Sequence, residues 1–134
     1  MDFIDETKKI AARSSIGRHQ TGAVISLDGK IVSNGWSHVP HYKLRSKRSL
    51  HAELHALARA RHLNLYNAII CIATIARKSG NYVSAKPCLD CAIALKAAGI
   101  SQVYYTLNND WNDYLNLEAP ATFHDLKVYG TNSY

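Results

Sequence analysis

The chain has 134 residues, enough for one domain around one core and too few for two. With 47% hydrophobic and 19% charged residues it has the composition of an ordinary soluble globular protein, and no apolar run approaches the roughly 20 residues that span a bilayer. The net charge of +6 is unevenly spread: residues 1–100 carry 15 Lys/Arg against 6 Asp/Glu, whereas the remainder carries Lys127 against four acids. A basic body of this kind suits an anionic partner, a nucleotide phosphate or a nucleic-acid backbone alike.

The acidic start, Met1-Asp2-Phe3-Ile4-Asp5-Glu6, has no basic segment followed by an apolar one, so no signal peptide is expected. Residues 2–16 read as a helix, with Phe3, Ile4, Thr7, Ala11 and Ser14 on one face and Gly17 ending it. Residues 22–27 and 30–34 read as a hairpin closed by Asp28-Gly29 in a type I′ turn. A polar, basic loop follows from 37 to 48.

Ser49 is placed to cap a helix over about 51–62, with Leu54, Leu57, Ala58 and Arg61 as its repeat. The unbroken apolar run 67–76 fits a strand buried on both faces. Residues 77–86 read as a loop, 87–98 as a third helix closed by Gly99, and 100–106 as a fourth strand. The order α-β-β-α-β-α-β favours parallel neighbours and an α/β sandwich, the whole of 1–134 forming one domain. Asn108-Asn109-Asp110 is loop-like, and 123–129 fits a strand or a short helix equally.

Three cysteines cannot pair completely, and Cys88 and Cys91 form a Cys-x-x-Cys, which argues for a reducing, cytoplasmic setting. Cys71, inside the apolar run, reads as a small buried hydrophobe. The informative cluster is His51-Ala52-Glu53 followed by Pro87-Cys88-Leu89-Asp90-Cys91. One histidine and two cysteines are the ligand set of a zinc ion that keeps its fourth position for water, and zinc lowers that water's pKa from near 16 to about 7. Both segments open predicted helices, so backbone N–H groups and positive dipole ends converge on one point and favour thiolate over thiol. Glu53 sits where a proton shuttle belongs: close to the metal but not bound to it. It would take a proton from the water, pass it to a ring nitrogen such as N3 of cytosine, and help protonate the departing amine.

Other chemistries fit less well. A structural zinc site needs a fourth protein ligand; His55, one turn beyond His51, is the best candidate, but Glu53 would then have no task. A redox Cys-x-x-Cys usually follows the first strand of its fold, and this one follows the third. His51-Ala52-Glu53-Leu54-His55 is not the His-Glu-x-x-His of a metalloprotease.

At these motifs the chain resembles the zinc-dependent cytidine and deoxycytidylate deaminase superfamily, whose mark is H-x-E…P-C-x-x-C. The likeness runs over roughly residues 1–106 and takes in Thr21-Gly22-Ala23-Val24-Ile25, Gly35-Trp36-Ser37 and Ala98-Gly99-Ile100-Ser101-Gln102. It implies a three-layer α/β/α sandwich with a central mixed five-stranded sheet, one catalytic Zn²⁺ held by His51, Cys88 and Cys91, Glu53 as catalytic acid/base, and a homo-oligomer. It also implies that the Ala52 backbone and the Pro87–Cys88 segment hold the base edge while Ala23 lines the pocket; Tyr105 is a further candidate, through stacking. Two positions depart from the pattern. Ser37 and His55 stand where many of these deaminases have asparagine.

Three substrate classes follow. A cytosine nucleoside or nucleotide of the cytidine, deoxycytidine or dCMP type leads, because the flanking motifs look most like that branch. A cytosine or adenine in single-stranded DNA or RNA is the alternative. Other aminated heterocycles, or a zinc-stabilised domain that binds without catalysis, come last. Lys43, Arg45, Lys47 and Arg48 lead directly into His51 and would contact one 5′-phosphate or a polynucleotide backbone, unless they are simply solvated.

Overall fold

A computed structural model describes residues 3–14, 19–38, 51–85, 87–107 and 110–116. The elements are α1 (Phe3–Ala11), β1 (His19–Leu27), β2 (Lys30–Trp36), α2 (Ala52–Arg59), β3 (Ile69–Ala76), β4 (Tyr82–Val83), α3 (Leu89–Ala97), β5 (Gln102–Leu107) and β6 (Asp110–Asn116). Five strands run in the order β2-β1-β3-β5-β6, and the two-residue β4 pairs with β3 off this path.

The β1–β2 hairpin forms as its sequence requires. Leu27 pairs with Lys30, and Asp28 and Gly29 both take positive φ, 52° and 80°, as a type I′ turn demands. The expectation of parallel neighbours holds only for β3 and β5. β1 is antiparallel to both β2 and β3. The reason is topological: the hairpin turns β2 back to the sheet edge, so the crossover through α2 must pass over β1 and lays β3 on its far side.

Glycines bring the helices close. A Cβ on Gly22 would lie 2.4 Å from the Ala11 backbone nitrogen of α1, and one on Gly35 would lie 2.4 Å from the Ala56 nitrogen of α2. Gly35 pairs with Ala23, the neighbour of Gly22, so the two glycines face opposite sides of the sheet. α1 therefore covers one face and α2 the other, with α3 beside α2. The protein is a three-layer α/β/α sandwich on a mixed sheet. Its main core lies between the sheet and α2/α3, where Ala23, Ile25, Ile70, Ile72, Val103 and Tyr105 meet Ala52, Ala56, Ala92 and Leu95. Under α1 lie Thr7, Ile10 and Ala11, all fully or nearly buried, with Ser14 just beyond its end.

Several boundaries differ from expectation. α1 stops at Ala11, where the Gln20 amide donates to the carbonyls of Ala12 and Ser14. α2 stops at Arg59 and tightens into i→i+3 turns through Leu63. Its buried face is Ala52, Glu53, Ala56 and Ala60, while Ala58 and Arg61 are exposed. Small residues face the sheet because Gly35 leaves no room for large ones. Residues 77–86, expected to be all loop, contain β4, and Asp110–Asn116 forms an edge strand that the sequence pattern does not announce. Gly17, Ser49 and residues 123–129 lie outside the described residues.

Gly35→Ala should lower stability by about 1–3 kcal/mol through overpacking against the α2 backbone, and should loosen the helix that carries Glu53. Urea unfolding at matched zinc content checks this. A midpoint equal to that of the unmodified protein would show that α2 does not rest on Gly35.

Candidate functional site

Two helix beginnings carry the predicted ligands. His51 is the N-cap of α2, with extended backbone, and its carbonyl accepts the first helical bond from the His55 N–H at 3.0 Å. Cys88 is the N-cap of α3, where its sulfur accepts from the Cys91 N–H at 3.5 Å and its carbonyl accepts from Ala92 at 2.9 Å. Cys91 follows in the first turn of α3. The N-cap position expected at Ser49 is taken by His51, whose side chain makes no capping hydrogen bond.

The ligand atoms of His51, Cys88 and Cys91 all lie within 4.8 Å of one another. His51 Nδ1 and Cys91 Sγ lie 3.2 Å apart. Bonds of about 2.0–2.3 Å to a tetrahedral zinc would put such atoms roughly 3.5–3.8 Å apart, so small side-chain rotations complete the set. Two sulfurs and an imidazole nitrogen are the donors zinc prefers. Among the described residues no other group of three such side chains converges. The residues fit Zn²⁺.

Glu53 lies in the first turn of α2, is fully buried, and has no hydrogen-bond partner on either carboxylate oxygen. Burial pushes its pKa up to about 7; its own backbone N–H and the Cys91 thiol oppose the rise but fall short of hydrogen-bond geometry. Burial, then the charges of Glu53 and Cys88, hold the Cys91 thiol well above its usual range. A divalent cation at the cluster reverses that balance. Burial also lowers the pKa of His51, which suits a neutral imidazole ligand. Cys71 is a buried thiol pushed up to about 11, the inert hydrophobe expected of it.

The end of β2 supplies a wall. Ser33, Gly35 and Ser37 share one face by strand alternation. The Ser33 hydroxyl donates to the Ala56 carbonyl at 2.8 Å, and Gly35 meets Ala52 and Ala56, so the row runs towards the start of α2, where His51 and Glu53 sit. Ser37 is 4% exposed, and its hydroxyl has no hydrogen-bond partner among the described residues. Trp36 lies at the sheet edge between the guanidinium carbons of Arg13 (5.2 Å from the ring centroid) and Arg59 (5.3 Å). His55 is not a member of the ligand group. Its Nδ1 accepts from the Trp36 N–H at 3.1 Å, and its ring packs edge-on against those of Trp36 and His38. Its spacing from His51 makes it a candidate ligand in the sequence. Nothing local in the sequence marks the pairing with His38.

The other predicted residues scatter as follows. Ala23 and Ala52 are fully buried in the core beside α2, and Pro87 is buried beside the N-cap of α3. Tyr105 points inward and joins the core at 3% exposure, while Tyr104 is half-buried; β5 continues past both to Leu107. Lys43, Arg45, Lys47 and Arg48 lie outside the described residues. Within those residues no helix is long and apolar enough to cross a membrane.

Residues 1–107 match the family described as the cytidine and deoxycytidylate deaminase zinc-binding region. The chain belongs to that family. Among solved structures it is similar to dCMP deaminase from the cyanophage S-TIM5, at 20% identity and a TM-score of 0.66 over 96% of this chain and 89% of that one. That enzyme is also known in complex with dCMP and dUMP. Cytidine deaminase from Mycobacterium tuberculosis is similar at 18% identity and a TM-score of 0.53, over 76% of this chain and 79% of that one. At these identities the likeness concerns the fold. A comparison with curated proteins found no match.

Cys88→Ala and Cys91→Ala should each lose most bound zinc, whereas Glu53→Gln should retain it; elemental analysis of the purified variants reads the difference. Full zinc in both cysteine variants would remove these residues from the ligand set. A second expectation concerns acid. Burial, with lesser contributions from His38 and Arg59, lowers the His55 pKa from 6.5 to about 4. Between those values the unfolded chain binds a proton that the folded one refuses. This stabilisation is therefore present above pH 6.5 and is lost as pH falls towards 4. His55→Asn should flatten the difference in urea midpoint between pH 7 and pH 4.5, and an unchanged slope would count against a neutral His55.

Proposed function

We propose that the chain is a zinc-dependent hydrolytic deaminase that converts a cytosine nucleoside or nucleotide, of the cytidine, deoxycytidine or dCMP type, to the uracil form with release of ammonia. The observation that carries this reading is the buried, unpartnered Glu53 carboxyl at the helix start that also presents His51, with Cys88 and Cys91 brought to it from α3. A structural zinc site has no use for such a carboxyl, and leaving it unpaired costs roughly 1–3 kcal/mol or more. A deaminase needs one.

His51, Cys88 and Cys91 hold the zinc. The ion supplies Lewis acidity that makes water a nucleophile near neutral pH. Glu53 takes one proton from the water and delivers it to N3 of the ring, which makes the carbon bearing the amino group electrophilic. Once the new C–O bond has formed, Glu53 takes up the second water proton and delivers it to the amino nitrogen, which leaves as ammonia while the C=O of uracil forms. Burial raises the proton affinity of the carboxyl, as suits a group that holds a proton between two transfers. Ala23 presents only a methyl group towards the pocket and so leaves room for a flat ring. The Ala52 backbone, the backbone of the Pro87–Cys88 segment and the Ser37 hydroxyl supply its polar edge contacts. The dCMP and dUMP complexes of the similar cyanophage enzyme support a nucleotide as substrate. A reducing, cytoplasmic setting and a homo-oligomer belong to the same reading; sedimentation of the zinc-loaded protein tests the latter.

The test is direct. Zinc-loaded protein is incubated with cytidine, deoxycytidine, their monophosphates, and single-stranded DNA and RNA, and uracil and ammonia are measured. Glu53→Ala should keep its zinc yet lose at least the roughly 10²–10⁴-fold typical of general acid–base catalysis. Near-normal turnover in that variant would make Glu53 structural, and deamination confined to polynucleotides would move the substrate class.

A further inference from the structure

We infer that His55 is a positioning residue that sets the Ser37 hydroxyl against the substrate, and so governs which nucleosides are accepted; this rests on the deaminase reading above. The argument begins with Trp36. Its N–H donates to His55 Nδ1 at 3.1 Å, which leaves the His55 proton on Nε2. Its carbonyl lies 2.8 Å from His38 Nδ1, and because a carbonyl only accepts, His38 carries its proton there. The two imidazoles pack edge-to-face with centroids 4.4 Å apart, and the His55 ring meets the Trp36 ring in the same way at 4.6 Å. Both polar groups of the Trp36 backbone are thus held by side chains that brace each other.

Ser37 is the next residue. Its own N–H donates to the Thr21 carbonyl at 3.0 Å, so the backbone on both sides of its Cα is fixed. Its hydroxyl is the part not tied down: the residue is 4% exposed, and Oγ has no hydrogen-bond partner among the described residues. By alternation along β2 that hydroxyl lies on the face that packs on α2, at the end where Glu53 sits. Glu53 and Ser37 are therefore both buried and both unpartnered, and both are fixed by α2: Glu53 as part of it, Ser37 through the His55–Trp36 bond.

β2 is the edge strand, and the Trp36 N–H could have bonded water instead. An acceptor from α2 ties the substrate wall to the catalytic helix. A buried hydroxyl held in one place favours a ligand that offers it a hydroxyl or ring carbonyl. It rejects one that leaves it unpaired. The ligand group in question is a sugar hydroxyl or the ring carbonyl of the nucleoside.

A double-mutant cycle tests this. His55→Phe keeps the ring shape and removes the acceptor, His55→Asn restores an acceptor, and Ser37→Ala removes the hydroxyl. Zinc content, KM and kcat are measured on cytidine, deoxycytidine and dCMP, and dissociation of dUMP is measured by calorimetry. His55→Phe should keep its zinc and raise KM about 5- to 150-fold, the equivalent of one buried hydrogen bond, with a smaller change in kcat. The dUMP dissociation constant should move with KM. His55→Asn should recover most of the loss, and Ser37→Ala with His55→Phe should be no worse than Ser37→Ala alone. If His55→Phe does not fold, His55→Ala takes its place in the cycle. Additive effects, or a His55 variant that lowers kcat and leaves KM and dUMP binding unmoved, would overturn the assignment. An unmodified protein that deaminates none of these substrates would instead overturn the nucleoside or nucleotide reading on which this inference rests.

Discussion

The close seating of α2 on β2 is the contact on which the site depends. With no side chain at Gly35, the strand backbone touches Ala52 and Ala56 directly. A helix held at that distance can accept the Ser33 hydroxyl on a carbonyl and offer His55 to a strand N–H. The same seating buries the first turn of α2 and Glu53 with it. A larger residue at position 35 would act on the site at a distance, by lifting the helix that carries both a metal ligand and the carboxyl.

The electrostatics of the cluster follow from that burial. Cys88, Cys91 and Glu53 gather three groups that become anions, two of them buried, and among the described residues His51 is the one basic side chain in the ligand group. Two helix N-termini are aimed at the group, while burial and the charges of Glu53 and Cys88 push the Cys91 thiol up, so the thiolate needs the help of positive charge. A divalent ion supplies that help, and its binding then releases thiol protons. Stability and metal occupancy should therefore be coupled, more tightly than in a site whose ligands are solvated.

What could be read from the sequence and what could not divide along physical lines. The ligand set was legible because its chemistry depends on residue type at a fixed spacing. The hairpin was legible because Asp28-Gly29 between apolar runs has one good backbone solution. Strand pairing was less so: the apolar run of β3 says that it is buried, not that its neighbour β1 runs the other way. β6 is hidden because Asp110, Asn112, Asp113 and Asn116 are residues that strands disfavour; it forms because β5 offers an open edge. The buried face of α2 is Ala52, Glu53, Ala56 and Ala60 rather than the leucine repeat, because the close approach at Gly35 favours small residues there, while Leu57 packs at the margin of the core. The link from His55 to Trp36 joins residues 19 apart in the chain, and no local pattern announces it.

The two halves of the site come from distant elements, and a chain of hydroxyls keeps them in register. Thr21 accepts the Ser37 N–H on its carbonyl, and its Oγ1 pairs with Thr74 Oγ1 at 2.9 Å. Register pairing between β3 and β5 ends at Ile72 and Tyr105. Just beyond, Thr106 Oγ1 accepts the Thr74 N–H at 3.2 Å and donates to the Val83 carbonyl at 2.7 Å. The Thr106 carbonyl then accepts the Ala85 N–H at 2.9 Å, two residues before Pro87. All three threonines are fully or nearly buried, so the bonds that join Thr21, Thr74 and Thr106 are shielded from competing water. A valine at any of them would match the size and leave a buried polar group unpaired. The segment that delivers Cys88 is thus tied across three strands to the end of β2 that leads into Ser37, and one hydrogen-bonded frame holds both.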